Sequence, residues 1–234
     1  RDQPRSRGLG DVYKRQFLYD DHQHLSLALN SEELLGRLNT GLQPRGIRLL
    51  NAFYSGSAFL VSTKGELRTP SDYKGIAAAL RTDNADKLAV FSSLGARVLP
   101  YSASAIPNML GAQAELLPEG ADGPAEEVTV DTIEVDTEQA LALEADPNTL
   151  FFIKSYHAAA PLWLGANEQS LASLTAYERA VLSEACAGLL AGLERVYTDR
   201  EAAAFDELRA RGVEVVEIEN HPWFVGTQYH PEYK

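Results

Sequence analysis

Apolar residues recur along the chain with two periods, and the alternation between them outlines the fold. In SEELLGRLNTGLQPRG, residues 31–46, Leu34, Leu35, Leu38 and Leu42 fall at helical spacing. Ser31 is placed to cap this helix, and Pro44 and Gly46 to end it. Residues 47–54 and 58–63 read as two strands separated by a small-residue turn at Ser55, Gly56 and Ser57. Residues 68–75 predict a turn and a short helix that Ser71 or Asp72 can cap. A third strand follows at 76–82. Then comes a helix over 84–95, with Asn84 as cap, Leu88, Val90, Phe91 and Leu94 as core, and Gly95 as its stop. Residues 96–102 predict a fourth strand. Strands alternating with helices in this way indicate an α/β architecture with largely parallel pairing.

Beyond residue 103 the pattern is less regular. Residues 104–127 read as a helix interrupted at Pro118, with a turn over Gly120–Pro124, and 128–143 as a strand passing into a short helix. Residues 149–167 are strand-rich and dense in aromatics. Ser173 opens a long helix to about Leu193. A second helix runs from about Asp199 to Arg211, where Gly212 ends it before a last strand at 213–218. No internal repeat and no low-complexity linker interrupts residues 17–218.

Charge changes the picture at the front. The chain has 234 residues and a net charge of −12, which argues against general nucleic-acid binding. Yet residues 1–16, RDQPRSRGLGDVYKRQ, hold five basic residues against two acidic ones and almost nothing apolar. That segment can be read as a basic arm or as a stretch too polar to fold. It also resembles translated sequencing-adapter read-through, and on that reading it stands outside the fold. No apolar run is long enough to span a membrane. A single cysteine excludes an internal disulfide framework and a cysteine-rich zinc site.

Little catalytic chemistry is visible. His22-Gln23-His24, read as a strand, puts two imidazoles on one face, but nothing supplies a third metal ligand. Together with Asp20 and Asp21 they make a polar edge instead, so no metal and no cofactor is expected. Cys186 falls inside a predicted helix between Leu182 and Leu189, where a thiol packs and does not react. No Gly-x-Ser-x-Gly elbow occurs. The body therefore reads as a binder and not an enzyme.

The segments FLYDDHQHLSLAL, ELRTPSDYKG, LGARVLPYSAS and GADGPAE, in this order and spacing, resemble the solute-binding subunit of tripartite ATP-independent periplasmic (TRAP) transporters. The resemblance covers about residues 17–218. It implies a two-lobed, periplasmic-binding-protein-like α/β fold, shortened at the N-terminus by one strand and helix and a signal peptide. It also implies a periplasmic location, a small organic acid as ligand, and the transporter's membrane subunits as partners. In that family an arginine on the strand after the T-P-x-D-x-K-G turn grips the ligand carboxylate. Arginine suits the task because its planar fork gives two charge-assisted hydrogen bonds. Arg81 is the candidate here, although counting from Gly75 lands on Ala79 or Leu80, and counting back from Gly95 comes within one residue of Arg81. A second family arginine aligns with Ala58, which points to a less acidic ligand. Without the resemblance, Arg81 reads as a surface arginine at a strand end. Tyr54, Tyr156 and Trp163 are candidate ligand walls, or core packing, and Asp122 is a structural turn residue.

The last residues, 219–234, resemble a different family. NHPWFVGTQYHPEYK is similar to the glutaminase end of CTP synthase, where His230 and Glu232 would match two members of a Cys-His-Glu triad. That reading makes the chain a class I glutamine amidotransferase fragment. It lacks a nucleophile, because Cys186 is not on a glycine-flanked strand-to-helix elbow and lies close before His230.

Overall fold

A computed structural model describes residues 22–116 and 125–218. The expectations placed on residues 1–16, Asp122, His230 and Glu232 lie outside these residues. Helices α1 (His22–Leu29) and α2 (Glu32–Leu42) come first, with Ser31 capping α2 as expected. The His22-Gln23-His24 segment is therefore helical, not a strand, and a helix turns residues two apart to opposite sides.

Strand β1 (Ile47–Ser62) corrects the expected pair of strands. The backbone runs straight through Ser55-Gly56-Ser57, with Gly56 at φ +118°, a value that suits glycine. After a 3-10 turn at Pro70–Tyr73, capped by Thr69, come β2 (Ala77–Arg81), α3 (Ala85–Ser93) and β3 (Arg97–Tyr101), close to the predicted ranges. Within the described residues 104–116 and 125–127, the expected helix is replaced by other elements. A 3-10 turn at Ile106–Met109 leads into β4 (Gln113–Leu116), which pairs antiparallel with β5 (Glu126–Thr129). Strand β6 (Thr132–Val135) and helix α4 (Thr137–Leu141) follow, with Asp136 and Gln139 forming a capping box. Strand β7 (Phe151–Asn167) precedes α5 (Glu168–Ser173), α6 (Ala176–Ala210) and β8 (Glu214–Glu217). The two helices expected near the end are one. Thr198 returns its hydroxyl to the carbonyl of Glu194, and the polar stretch around it stays helical.

The chain divides into two compact units. The first comprises described residues 22–57 and 158–203, the second 58–157 and 204–218. Strands β1 and β7 and helix α6 each pass from one unit to the other. In the first unit Leu25, Leu29 and Leu38 pack on Ala52 and Tyr54, with Trp163 and Tyr197 against them.

The second unit holds a mixed sheet in the order β3-β2-β6-β1-β7-β8. Strand β2 runs parallel to β3 and β6, β7 parallel to β8, and β1 antiparallel to β6. Period-two alternation splits its apolar residues between two cores. Phe59, Val61, Ile133, Val135 and Phe152 meet Phe205 and Leu208 of α6 in one core. Leu60, Leu80 and Ile153 meet Tyr73 and Phe91 in the other. Both cores are apolar and buried, so a charged side chain placed among them needs a specific partner.

Candidate functional site

Such a charge sits at the carboxyl end of β2. Arg81 is the last residue of that strand, and the carboxyl ends of parallel strands in open α/β sheets are where ligands bind. Its Nε lies 3.4 Å from Oε1 of Glu134 on the neighbouring β6, and its backbone N–H donates to the same carboxylate at 2.8 Å. The counter-charge is thus Glu134 and not Asp83 or Asp86, the acids nearest in sequence. Helix α3 supplies a second cation. Asn84 caps α3 by accepting from the backbone N–H groups of Asp86 and Lys87. That cap turns Lys87 inward, where its Nζ donates to Glu134 at 2.7 Å and to Asp83 at 2.9 Å. The Lys87 and Glu134 side chains are each 1% exposed.

His157 of β7 closes the cluster. Its Nδ1 shares a 2.7 Å hydrogen bond with the Ser155 hydroxyl, and Phe91 meets its ring edge-on. Its Nε2 stands 3.5 Å from Glu134 Oε1, an ionic distance without hydrogen-bond geometry among the described residues. Burial works against charge on both groups. It pushes His157 below the ordinary imidazole value, so the ring is neutral near pH 7. Burial also opposes the Glu134 charge, but His157, Lys87 and Arg81 outweigh it and hold that carboxyl well below the usual range. Arg81 and Lys87 face Glu134 and Asp83, so the four charges balance, and of the two cations only Arg81, 20% exposed, reaches the surface.

The other candidates are placed as follows. Tyr156 is 46% exposed in the second unit, edge-on to Phe59, and its φ of +44° is unusual for a bulky side chain. In the first unit Tyr54 is buried, and Oε1 of Glu201 accepts from its hydroxyl at 2.6 Å and from the Ser57 N–H at 2.8 Å. Trp163 packs against the α1–α2 core. Cys186 is buried in the interior of α6, which supplies no strand-to-helix elbow. Among the described residues no group of three or more His, Cys, Asp or Glu is arranged to hold a metal ion. An open cavity of about 350 Å³ in the first unit is walled by Leu50, Leu171 and Leu182, and Arg48 and Glu168 pair across its rim. None of Arg81, Tyr54, Tyr156 or Trp163 lines it.

Glu134, Lys87 and His157 escaped the sequence reading. Each carried a signal: a lone acid inside an apolar strand, a lysine four residues before Phe91 on the inward face of α3, and a histidine in register with Ile153 and Ser155.

Residues 10–112 match the family described as bacterial extracellular solute-binding protein, family 7, DctP. The fold is that of TRAP periplasmic solute binding proteins. One from Escherichia fergusonii, an apo open structure, is 19% identical with TM-score 0.75, over 94% of this chain and 69% of that one. One from Sulfitobacter sp. NAS-14.1, with bound β-D-galacturonate, is 18% identical with TM-score 0.67, over 91% and 65%. One from Pseudomonas aeruginosa PAO1, with bound L-malate, is 19% identical with TM-score 0.63, over 88% and 66%. This chain thus spans about two thirds of those proteins. The expected resemblance to this family holds, as does the second resemblance. CTP synthase of Flavobacterium johnsoniae is 77% identical over 22 residues, 9% of this chain and 4% of that protein. The enzyme of Clostridium acetobutylicum is 71% identical over 24 residues, 10% and 4% respectively. No helix among the described residues is long and apolar enough to cross a membrane.

Proposed function

We propose that this chain is the solute-receiving part of a periplasmic TRAP-type receptor, which binds a small organic acid and delivers it to the transporter's membrane subunits. The observation that supports this best is Arg81. Its Nε is anchored on a buried carboxylate, and the side chain stays 20% exposed at the strand end. An arginine held by Nε keeps its two terminal nitrogens in a fixed plane, the geometry that a carboxylate accepts. The acids bound by the relatives from Sulfitobacter and Pseudomonas favour the same ligand class. Tyr156, in the same unit as Arg81 and well exposed, is the aromatic residue assigned to the ligand in this reading.

Titration calorimetry of the full chain with D-galacturonate and L-malate tests the proposal. A charge-assisted hydrogen bond contributes about 1.5–3 kcal/mol, so Arg81→Ala weakens binding about tenfold or more. Arg81→Lys keeps the charge, loses the fork, and falls in between. Equal affinity in Arg81→Ala removes this residue from the site. Failure of the parent to bind either acid overturns the ligand class.

A further inference from the structure

Lys87 is the side chain of the second unit whose presence its own element does not explain. It lies in the first turn of α3, where the helix dipole disfavours a cation. Its side chain is 1% exposed, one turn before Phe91 of the apolar core. An apolar residue of similar volume would fill such a position at no desolvation cost. What Lys87 does there is occupy Glu134: its Nζ stands 2.7 Å from both carboxylate oxygens and 2.9 Å from Asp83. Arg81 meets the same carboxylate differently. Its backbone N–H donates to Oε2 at 2.8 Å, whereas its guanidinium approaches Oε1 at 3.4 Å through Nε, longer than a charge-assisted hydrogen bond. Glu134 therefore has one close cation, which is buried, and one more distant cation, which reaches the surface.

We propose that Lys87 is a positioning residue for the ligand: by occupying Glu134 it prevents that carboxylate from capturing the Arg81 guanidinium, whose terminal nitrogens then serve the carboxylate of an organic acid. The inference rests on the reading of Arg81 given above and deepens it. Two carboxylates, one buried and one on the ligand, compete for one guanidinium. A buried carboxylate without a partner is driven to find one, and a planar fork paired with it offers a second carboxylate little net charge. With Lys87 in place the buried carboxylate is already satisfied, since Arg81 and Lys87 together balance Glu134 and Asp83. Without Lys87, a single cation faces two carboxylates. All four groups belong to the second unit.

Titration calorimetry of the full chain with D-galacturonate and L-malate reads the outcome, with circular dichroism confirming that each variant is folded. Lys87→Met is expected to weaken binding about tenfold, as Arg81→Ala does, and to add nothing when combined with Arg81→Ala. Lys87→Met with Glu134→Gln removes the competing carboxylate and restores the parent's affinity. Lys87→Met with Asp83→Asn reaches the same net charge but leaves Glu134 in place, and its binding stays weak. Equal affinity in Lys87→Met and the parent overturns the assignment, and equal rescue by both double variants overturns capture in favour of charge alone. Should Lys87→Met fail to fold, Lys87→Met with Glu134→Gln still decides, because an affinity as low as that of Arg81→Ala overturns the proposal. Nitrogen-15 NMR of the ligand-free protein adds a readout that needs no ligand. The Arg81 Nε–H, assigned by its loss in Arg81→Lys, is expected to exchange with water about tenfold more slowly in Lys87→Met than in the parent. An unchanged exchange rate overturns the role of Lys87, whether or not either acid binds. Slowed exchange in a protein that binds neither acid supports that role and overturns the ligand class alone.

Discussion

Glu134 holds its charge where water cannot reach it, and it does so because two cations and a backbone N–H converge on one carboxylate. Removing that charge and keeping the shape, as in Glu134→Gln, strands Lys87 in the interior with Asp83 as its remaining anion. Breaking a buried pair from one side costs about 3–5 kcal/mol, so urea unfolding of this variant shows a loss of that order. Arg48→Ala breaks an exposed pair with Glu168 and costs about 1 kcal/mol or less. The cluster also sets the acid response. His157 is depressed by burial, so below about pH 6.5 the unfolded chain takes up a proton that the folded chain refuses. Stability from this residue is full above that pH and declines as pH falls toward the folded value. Glu134 is depressed as well, by its cations, so its contribution stays intact until about pH 4.5 and is lost below. His157→Gln therefore flattens the fall in unfolding free energy between pH 7 and 5 and leaves the steeper fall below it. An unchanged slope between pH 7 and 5 would mean that the ring titrates alike in the folded and the unfolded chain.

Strand β1 shows what a single backbone angle decides at the scale of an element. Gly56 sits inside it at φ +118°, and a Cβ added there would meet Glu201 Oε1 at an ordinary 3.7 Å. The space is adequate and the angle is not, so Gly56→Ala lowers the unfolding free energy through the backbone by about 1–2 kcal/mol, read by urea denaturation. Gly36, inside α2 with open space around it, behaves oppositely: Gly36→Ala raises the unfolding free energy by up to about 1 kcal/mol. The same residue explains why β1 was misread from sequence. Ser-Gly-Ser has the composition of a turn, and composition does not reveal that glycine is used here for its angle. Where pattern and partner agree, as in β2, α3 and β3, the elements were legible nearly to the residue. Residues 104–116 were not, because a 3-10 turn and a strand paired at long range leave no helical or alternating period of their own. Arg81 was singled out through resemblance, not through its own pattern. Glu134, Lys87 and His157 were hidden because each is polar in an apolar setting, and a sequence does not show which of several distant charges will meet.

The whole molecule is governed by the way its chain is shared between two units. Strand β1 crosses after Ser57, β7 after His157 and α6 after Ala203, and no linker separates the units at any of these points. Both strand crossings carry a positive φ one residue earlier, at Gly56 and at Tyr156. Neither unit is a continuous stretch, so no single cut releases one intact. A chain ending at His157 loses Trp163 and Tyr197 from the first core and Phe205, Leu208 and Val216 from the second. Differential scanning calorimetry of that truncation is expected to show no cooperative transition, and a sharp endotherm would show that one unit folds without its returning segments. The order of synthesis follows from the same crossings. Helices α1 and α2 leave the ribosome before their covering residues do: Trp163 arrives more than a hundred residues later and Tyr197 later still. At roughly 5–20 residues per second, Leu25, Leu29 and Leu38 wait on the order of ten seconds for the side chains that cover them. For that interval the nascent first unit is a customer for any chaperone that holds exposed leucine.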